Sequence, residues 1–241
     1  MNGGEETLVA ADAAELAILA AELMARAIAA AIEARGVARI ALSGGGTPSE
    51  AYRRLAALSL PWAQTEWFWV DERAVAPDHP RSNYGAARRD LAAARIPEDR
   101  FFRMEGEAAD LGGVAARYEA LLRARFGVAS AVAFDLMTLG IGDDAHTASL
   151  FPGTGAVGIA DRLVAAIPAQ PDKGLEARLT LTAPVLREAR EKLLLARGAS
   201  KRAVVEQAKR PGPADEVPAR AVRGGAGRLV WLLDAAAAHA G

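Results

Sequence analysis

Short apolar runs recur along the chain, each emptying into a loop rich in glycine, proline or aspartate and followed by a stretch whose apolar positions have helical spacing. The runs at 37–42, 66–70, 133–139, 178–182, 192–196 and 229–234 read as buried strands, with shorter ones at 101–104 and 163–167. Helices are expected at 10–35, from Thr47 onward, and at 83–94, 108–125, 183–189, 198–209 and 235–240. Gly36 is placed to stop the first of them. Thr47, Pro48 and Glu50 read as N-cap, first helical residue and capping-box partner of the second. Strand and helix alternate throughout, which predicts an α/β chain with a mostly parallel sheet flanked by helices on both faces. No internal repeat and no long polar linker breaks the pattern, so residues 1–241 are expected to form a single domain.

Composition removes several function classes. Half of the residues are apolar and the formal net charge is −1, which gives no electrostatic reason to expect a nucleic acid or an anionic membrane as partner. The Ala-rich segment 10–34 is interrupted by Asp12, Glu15, Glu22, Arg26 and Glu33, so it reads as an amphipathic helix and not as a membrane span. The N-terminal residues lack a basic region followed by an apolar core, and no secretory signal is expected. With no cysteine, disulfides, thiolate catalysis and Cys-ligated metals are excluded, which fits a cytoplasmic protein.

Three loops carry candidate chemistry. Ser43-Gly44-Gly45-Gly46-Thr47 joins a strand to a helix, where glycines let backbone N–H groups approach an anion and the helix N-terminus adds partial positive charge. It is neither a P-loop, having no Lys-Ser/Thr pair, nor the spaced Gly-x-Gly-x-x-Gly of dinucleotide folds. Asp71-Glu72-Arg73 closes the next strand, and the polar loop running on to Asn83 is longer than most strand-to-helix connections. Taken alone, Asp71 and Glu72 would read as helix caps or surface ion pairs. The third loop follows the 133–139 strand and holds Asp143, Asp144 and His146. Of the three histidines, only His146 has a carboxylate two residues away on a loop of this kind. With so few histidines and no His-x-x-x-His pair, no metal site is expected. His79 reads as structural and His239 as a solvated terminal residue.

Four segments together resemble the 6-phosphogluconolactonase family: Leu42 to Pro48, Asp71-Glu72-Arg73 with His79 to Tyr84, Gly140 to Gly153, and Arg178 to Thr182 with Gly198 to Lys201. The family patterns are close to S-G-G-S-T-P, D-E-R…H-P-x-S-N-Y, G-x-G-x-D-G-H-T-A-S-L-F-P and R-I-T-L-T…G-x-x-K, and the matches fall in that order over most of the chain. Ala145 stands where a glycine is usual, and Gly46 where a small hydroxyl residue is usual. The resemblance implies a Rossmann-like α/β fold of the sugar-phosphate deaminase/lactonase type, a small sugar-phosphate substrate, no cofactor, and a monomer or weak homodimer. The related glucosamine-6-phosphate deaminases carry a glutamate five residues after the loop histidine; here that position is Phe151.

Opening a δ-lactone with water needs a base, a group to stabilise the oxyanion and a proton for the departing ring oxygen. Imidazole, with an unperturbed pKa of about 6.5, suits the first and third tasks. On this resemblance His146 is the general base, Asp144 orients and supports the imidazolium, and Arg73 stabilises the oxyanion or binds sugar oxygens. No Gly-x-Ser-x-Gly elbow is present, so Ser43 and Ser149 read as hydrogen-bonding residues and water as the nucleophile. Gly44, Gly45, Gly46 and Thr47 would hold the phosphate with Arg178 and Lys201, Arg81 being a weaker candidate, while Asp71 and Asn83 would hold sugar hydroxyls or position Arg73. A deaminase on the same fold and a non-catalytic sugar-phosphate sensor are the competing expectations.

Overall fold

The computed structural model describes residues 4–128, 131–171 and 174–238, so His239 lies outside the described residues. Strands β1 (Glu5–Ala10), β2 (Ala38–Leu42), β3 (Thr65–Trp69), β4 (Asp71–Arg73), β5 (Leu136–Gly140), β6 (Val164–Ile167), β7 (Arg178–Leu181), β8 (Glu191–Ala196) and β9 (Arg228–Asp234) form two sheets. The larger has the order β1-β9-β8-β5-β2-β3, and every neighbouring pair in it is parallel. Helices α1 (Ala13–Arg35), α2 (Gly46–Ala56), α3 (Asn83–Asp90), α4 (Leu111–Phe126), α5 (Ala183–Glu188), α6 (Arg202–Lys209) and α7 (Ala235–Ala238) alternate with the strands. The expected α/β architecture with a parallel sheet is therefore present.

Alternation along each strand explains why both faces are covered. Ile40, Leu42, Trp67, Trp69, Leu193 and Leu195 point into one core with Leu16, Met24 and Ile28 of α1 and Tyr52 and Leu55 of α2. Ala41, Phe68, Met137, Leu139, Leu194 and Trp231 point into the other, with Val114 and Leu122 of α4 and Val205 of α6. The helix after β2 lies on the first face, whereas the chain leaving β5 contributes Ile141, Ala145 and Leu150 to the second. Neighbouring strands whose exits diverge in this way leave a crevice beyond their carboxyl ends, the usual ligand position in open α/β sheets.

Several expectations need correction. A strand, β1, precedes the first helix, which starts at Ala13 behind the N-cap Asp12. It is an edge strand with a mostly exposed pattern, so it lacks a hydrophobic signature. Residues 101–104 are not a strand: Phe101 makes a single bridge to Trp67, and Phe102 N–H donates to Trp67 O at 2.8 Å. β4, β7 and β6 form a separate antiparallel sheet, invisible in the sequence because β4 has only three residues. Val70 joins the two sheets, donating to Leu42 O at 2.9 Å and accepting from Leu181 N–H at 2.8 Å.

Thr47 is not the N-cap of α2. The helix begins at Gly46 after Gly45, whose φ of 104° belongs to glycine, and no side chain caps it. Glu50 instead pairs with Arg53 at 2.8 Å and Arg54 at 3.2 Å. Among the described residues no side chain takes up the N–H groups of the first turn of α2.

Phe68 has no exposed surface and stacks on Phe102 at 4.9 Å with the edge of Phe134 at 5.4 Å. Phe68→Ala is expected to cost about 3–5 kcal/mol, read as a lower urea midpoint at unchanged m-value.

Candidate active site

A cavity of about 330 Å³ opens at the carboxyl ends of β2, β5 and β8. Ser43, Gly44, Gly45, Gly46 and Thr47 line it from the loop after β2, Asp71, Arg73 and Asn83 from the β4 side, Gly140, Ile141, Gly142 and His146 from the end of β5 and its loop, Arg178 from β7, and Leu195, Ala196 and Lys201 from the end of β8 and the segment after it. Of the residues given a catalytic or binding role above, Asp144 and the weaker candidate Arg81 do not reach its wall, and Asp144 is bonded to His146, which does.

The β2 loop is braced from below. Ser43 N–H donates to Thr138 Oγ1 at 3.0 Å, and the hydroxyl of Tyr52 contacts Thr138 Oγ1 at 2.7 Å and donates to Ser43 O at 2.9 Å. Burial raises the Tyr52 hydroxyl's pKa, so it stays a neutral donor. Asn83 packs so close to the loop that a β-carbon at position 44 would fall 1.7 Å from Asn83 Oδ1. Only glycine fits there.

The β4 side is built around Glu72. Its buried carboxylate accepts from Arg73 N–H, Asn83 N–H and Tyr84 N–H, each at 2.8 Å, and from Ser82 Oγ at 3.0 Å. The last three tie it to the start of α3, where Ser82 is the N-cap. Burial raises the Glu72 pKa against the opposing pull of these donors. Sequence reasoning missed this role; the helix-cap alternative for Asp71-Glu72 was the right one for Glu72. Fixing its backbone fixes its neighbours, because residues 71 and 73 share the opposite face of the strand. Asp71 accepts from Ser149 Oγ at 2.6 Å and from Asn83 Nδ2 at 3.2 Å, and Arg178 Nη1 lies 3.7 Å away. Arg73 donates to Arg81 O at 2.5 Å, while its buried Nε and that of Arg178 have no partner among the described residues. Burial lowers the Arg178 pKa.

The β5 loop turns tightly enough to bring a carboxylate onto an imidazole. Gly142 N–H donates to His146 O at 2.8 Å and Ala145 N–H to Gly142 O at 3.0 Å. Asp144 Oδ1 lies 2.5 Å from His146 Nδ1 and also accepts His146 N–H at 3.1 Å. The bond to His146 holds the Asp144 pKa down at about 2. An ionised carboxylate only accepts, so Nδ1 is the donor of this pair, and in a neutral imidazole the lone pair then lies on Nε2. The ring is 4.7 Å from that of Phe151, which is buried beside it. Asp143 faces away and pairs with Lys201 at 2.7 Å. Arg81 pairs with Glu176, His79 Nδ1 accepts from Arg81 N–H at 3.1 Å, and neither lines the cavity. Among the described residues no group of three or more His, Cys, Asp or Glu could hold a metal ion, and no helix is long and apolar enough to cross a membrane.

This geometry belongs to a recognisable class. Residues 11–231 match the glucosamine-6-phosphate isomerases/6-phosphogluconolactonase family, and the chain belongs to that family. A 6-phosphogluconolactonase of a Synechocystis strain is 43% identical over 208 residues, covering 85% of each chain. The 6-phosphogluconolactonase of Trypanosoma brucei, described with its catalytic mechanism, is 30% identical and superposes over 98% of both chains with a TM-score of 0.87. A monomeric glucosamine-6-phosphate deaminase shares the fold at 25% identity, with 96% of this chain and 98% of that one covered and a TM-score of 0.79. The relatives bear out the expectation of an enzyme of the 6-phosphogluconolactonase type.

Two substitutions test the β5 turn. A β-carbon on Gly142 would lie 2.0 Å from His146 Nδ1 and 2.7 Å from Asp144 Oδ1. Gly142→Ala should therefore separate the pair and return the Asp144 pKa toward the ordinary carboxylate value, followed by carboxyl NMR titration. Ala145 sits at φ 63°, a left-handed conformation that costs a side-chain-bearing residue about 1–2 kcal/mol. Ala145→Gly relieves this strain at some cost in chain entropy, and a net stabilisation of about 0.5–1 kcal/mol is expected in urea unfolding.

Proposed function

We propose that the protein hydrolyses 6-phospho-D-glucono-1,5-lactone to 6-phospho-D-gluconate, the hydrolytic step of the oxidative pentose phosphate route, with His146 as general base. The observation that carries this reading is the Asp144–His146 pair, 2.5 Å apart, whose imidazole lines the same cavity as the glycine loop at the start of α2. Phosphate would sit against Gly44, Gly45, Gly46 and Thr47, with Arg178 and Lys201 as cationic partners. His146 Nε2 would take a proton from water as the oxygen attacks the lactone carbonyl carbon. The carbonyl oxygen becomes an oxyanion, for which Arg73 is the candidate donor. Collapse breaks the bond between that carbon and the ring oxygen, and the imidazolium returns its proton to the ring oxygen as it leaves. Asp144 stabilises the imidazolium between these events. Asp71 and Asn83 would hold sugar hydroxyls or the Arg73 side chain.

Phe151 supports the lactonase over the deaminase reading: at 3% exposure beside His146 it offers an apolar ring where the deaminase pattern has a carboxylate. Product analysis with glucosamine 6-phosphate separates the two. We further infer a cytoplasmic, single-domain enzyme that needs no metal or cofactor and acts as a monomer or weak homodimer.

The test is proton release from fresh lactone above its spontaneous hydrolysis, with chelator present. Turnover should survive chelation, and His146→Ala should lose about 10²–10⁴-fold in kcat while still binding 6-phosphogluconate. Loss of binding together with turnover would point to misfolding, and no wild-type acceleration would remove the lactonase assignment.

A second prediction concerns pH. Asp144, its pKa lowered to about 2 by His146, is ionised from mildly acidic pH upward and is lost as a partner only as pH falls toward that value. Above mildly acidic pH the support of Asp144 should therefore stay constant, and Asp144→Asn should lower kcat while KM changes little. An unchanged kcat in Asp144→Asn would separate Asp144 from the base.

A further inference from the structure

Arg197 was given no role by its sequence context. It follows Ala196, the last residue of β8, whose backbone leads directly into the cavity wall. Its guanidinium approaches the start of α2: a β-carbon at position 46 would lie 3.5 Å from Arg197 Nη2. Arg197 is exposed and stands outside the cavity lining, and among the described residues it makes no salt bridge and no side-chain hydrogen bond, unlike Lys201, which is held by Asp143 at 2.7 Å. Asp234 on the neighbouring strand is taken up by the N–H groups of Gly198, at 2.9 Å, and Ala237, at 2.8 Å.

This placement is electrostatically adverse in the free protein. The first turn of α2 is the positive end of a helix dipole, with no acidic residue and no capping side chain, and a cation is disfavoured there. An anion between guanidinium and helix start would turn both into attractions, since the uncapped N–H groups and the guanidinium are donors without internal acceptors. The cavity at this point is lined by Gly44, Gly45, Gly46 and Thr47. The guanidinium lies within van der Waals reach of where a side chain on residue 46 would begin, the position where this chain departs from the family pattern.

We propose that Arg197 is a further phosphate-binding residue, donating to the phosphate monoester of the substrate from the side left open by Gly46. The proposal rests on the lactonase reading and deepens it: Arg197 reads the dianion and not the lactone ring. Its contribution is to binding that is equal in the ground and transition states, so it falls on KM.

Calorimetry of the intact protein with 6-phosphogluconate and with inorganic phosphate tests this, alongside steady-state kinetics on the lactone. Arg197→Ala should weaken both ligands about tenfold, the scale of one charged hydrogen bond, and raise KM by a similar factor, the loss falling on KM and not kcat. Gly46→Ser placed in the Arg197→Ala protein should recover part of the affinity, a rescue that a purely structural arginine would not allow. The ligand-free unfolding midpoint of Arg197→Ala should match the wild type. Wild-type affinity for both ligands in Arg197→Ala would overturn the proposal. A wild type that fails to hydrolyse the lactone yet binds inorganic phosphate in an Arg197-dependent way would remove the lactonase reading and leave the phosphate contact standing.

Discussion

Glu72 places a carboxylate inside the protein with no salt bridge among the described residues, and four hydrogen-bond donors hold it there. An ionised group deprived of water is tolerated only when its lone pairs are filled. Those donors come from β4 and from the segment that starts α3, so satisfying the carboxylate draws two distant parts of the β3–α3 connection together. The long polar loop between them is closed at its base as a result. Asp71, Arg73 and Asn83 inherit their positions from this closure, and Asn83 in turn packs against Gly44 of the β2 loop. One buried charge thereby registers the antiparallel sheet against the glycine loop of the parallel one.

The small sheet sets two guanidinium groups against each other. Arg73 and Arg178 are directly paired across β4 and β7, an arrangement of like charges that strands ordinarily avoid. Asp71 lies 3.7 Å from Arg178, and Glu176 3.9 Å from it, which offsets part of the repulsion. Both guanidinium Nε atoms remain buried without a partner among the described residues. Positive charge held this way is poised for an oxygen-rich anion, consistent with a sugar-phosphate substrate.

How much of this was legible in the sequence depended on how far the signal was local. Strands β2, β3, β5, β8 and β9 are apolar runs because both faces of the parallel sheet are covered, and their glycine-bearing exits mark the ligand end. The pairing of Asp144 with His146 follows from a spacing of two residues in a tight turn, and register pointed to Asp144 over Asp143. By contrast, β1 buries little and β4 is too short to show a period, so both were hidden. The cap of α2 was misplaced because a hydroxyl followed by proline is a strong local signal, whereas Gly45 starts the helix through its backbone conformation. The Glu72 carboxylate bonds to residues 10–12 positions on, and Arg197 stands beside a loop about 150 positions back, and no local pattern announces such contacts.

Val70 hydrogen-bonds to the parallel sheet through its N–H and to the antiparallel sheet through its carbonyl. The glycine loop belongs to the first sheet; Arg73 and Arg178 belong to the second. The span between the two ends of the cavity is therefore gauged from a single residue and not from a flexible connection. On the lactonase reading the site works as a calliper: it measures how far a phosphate stands from a ring carbonyl. Sugars with the same functional groups but a shorter carbon skeleton would touch one jaw at a time.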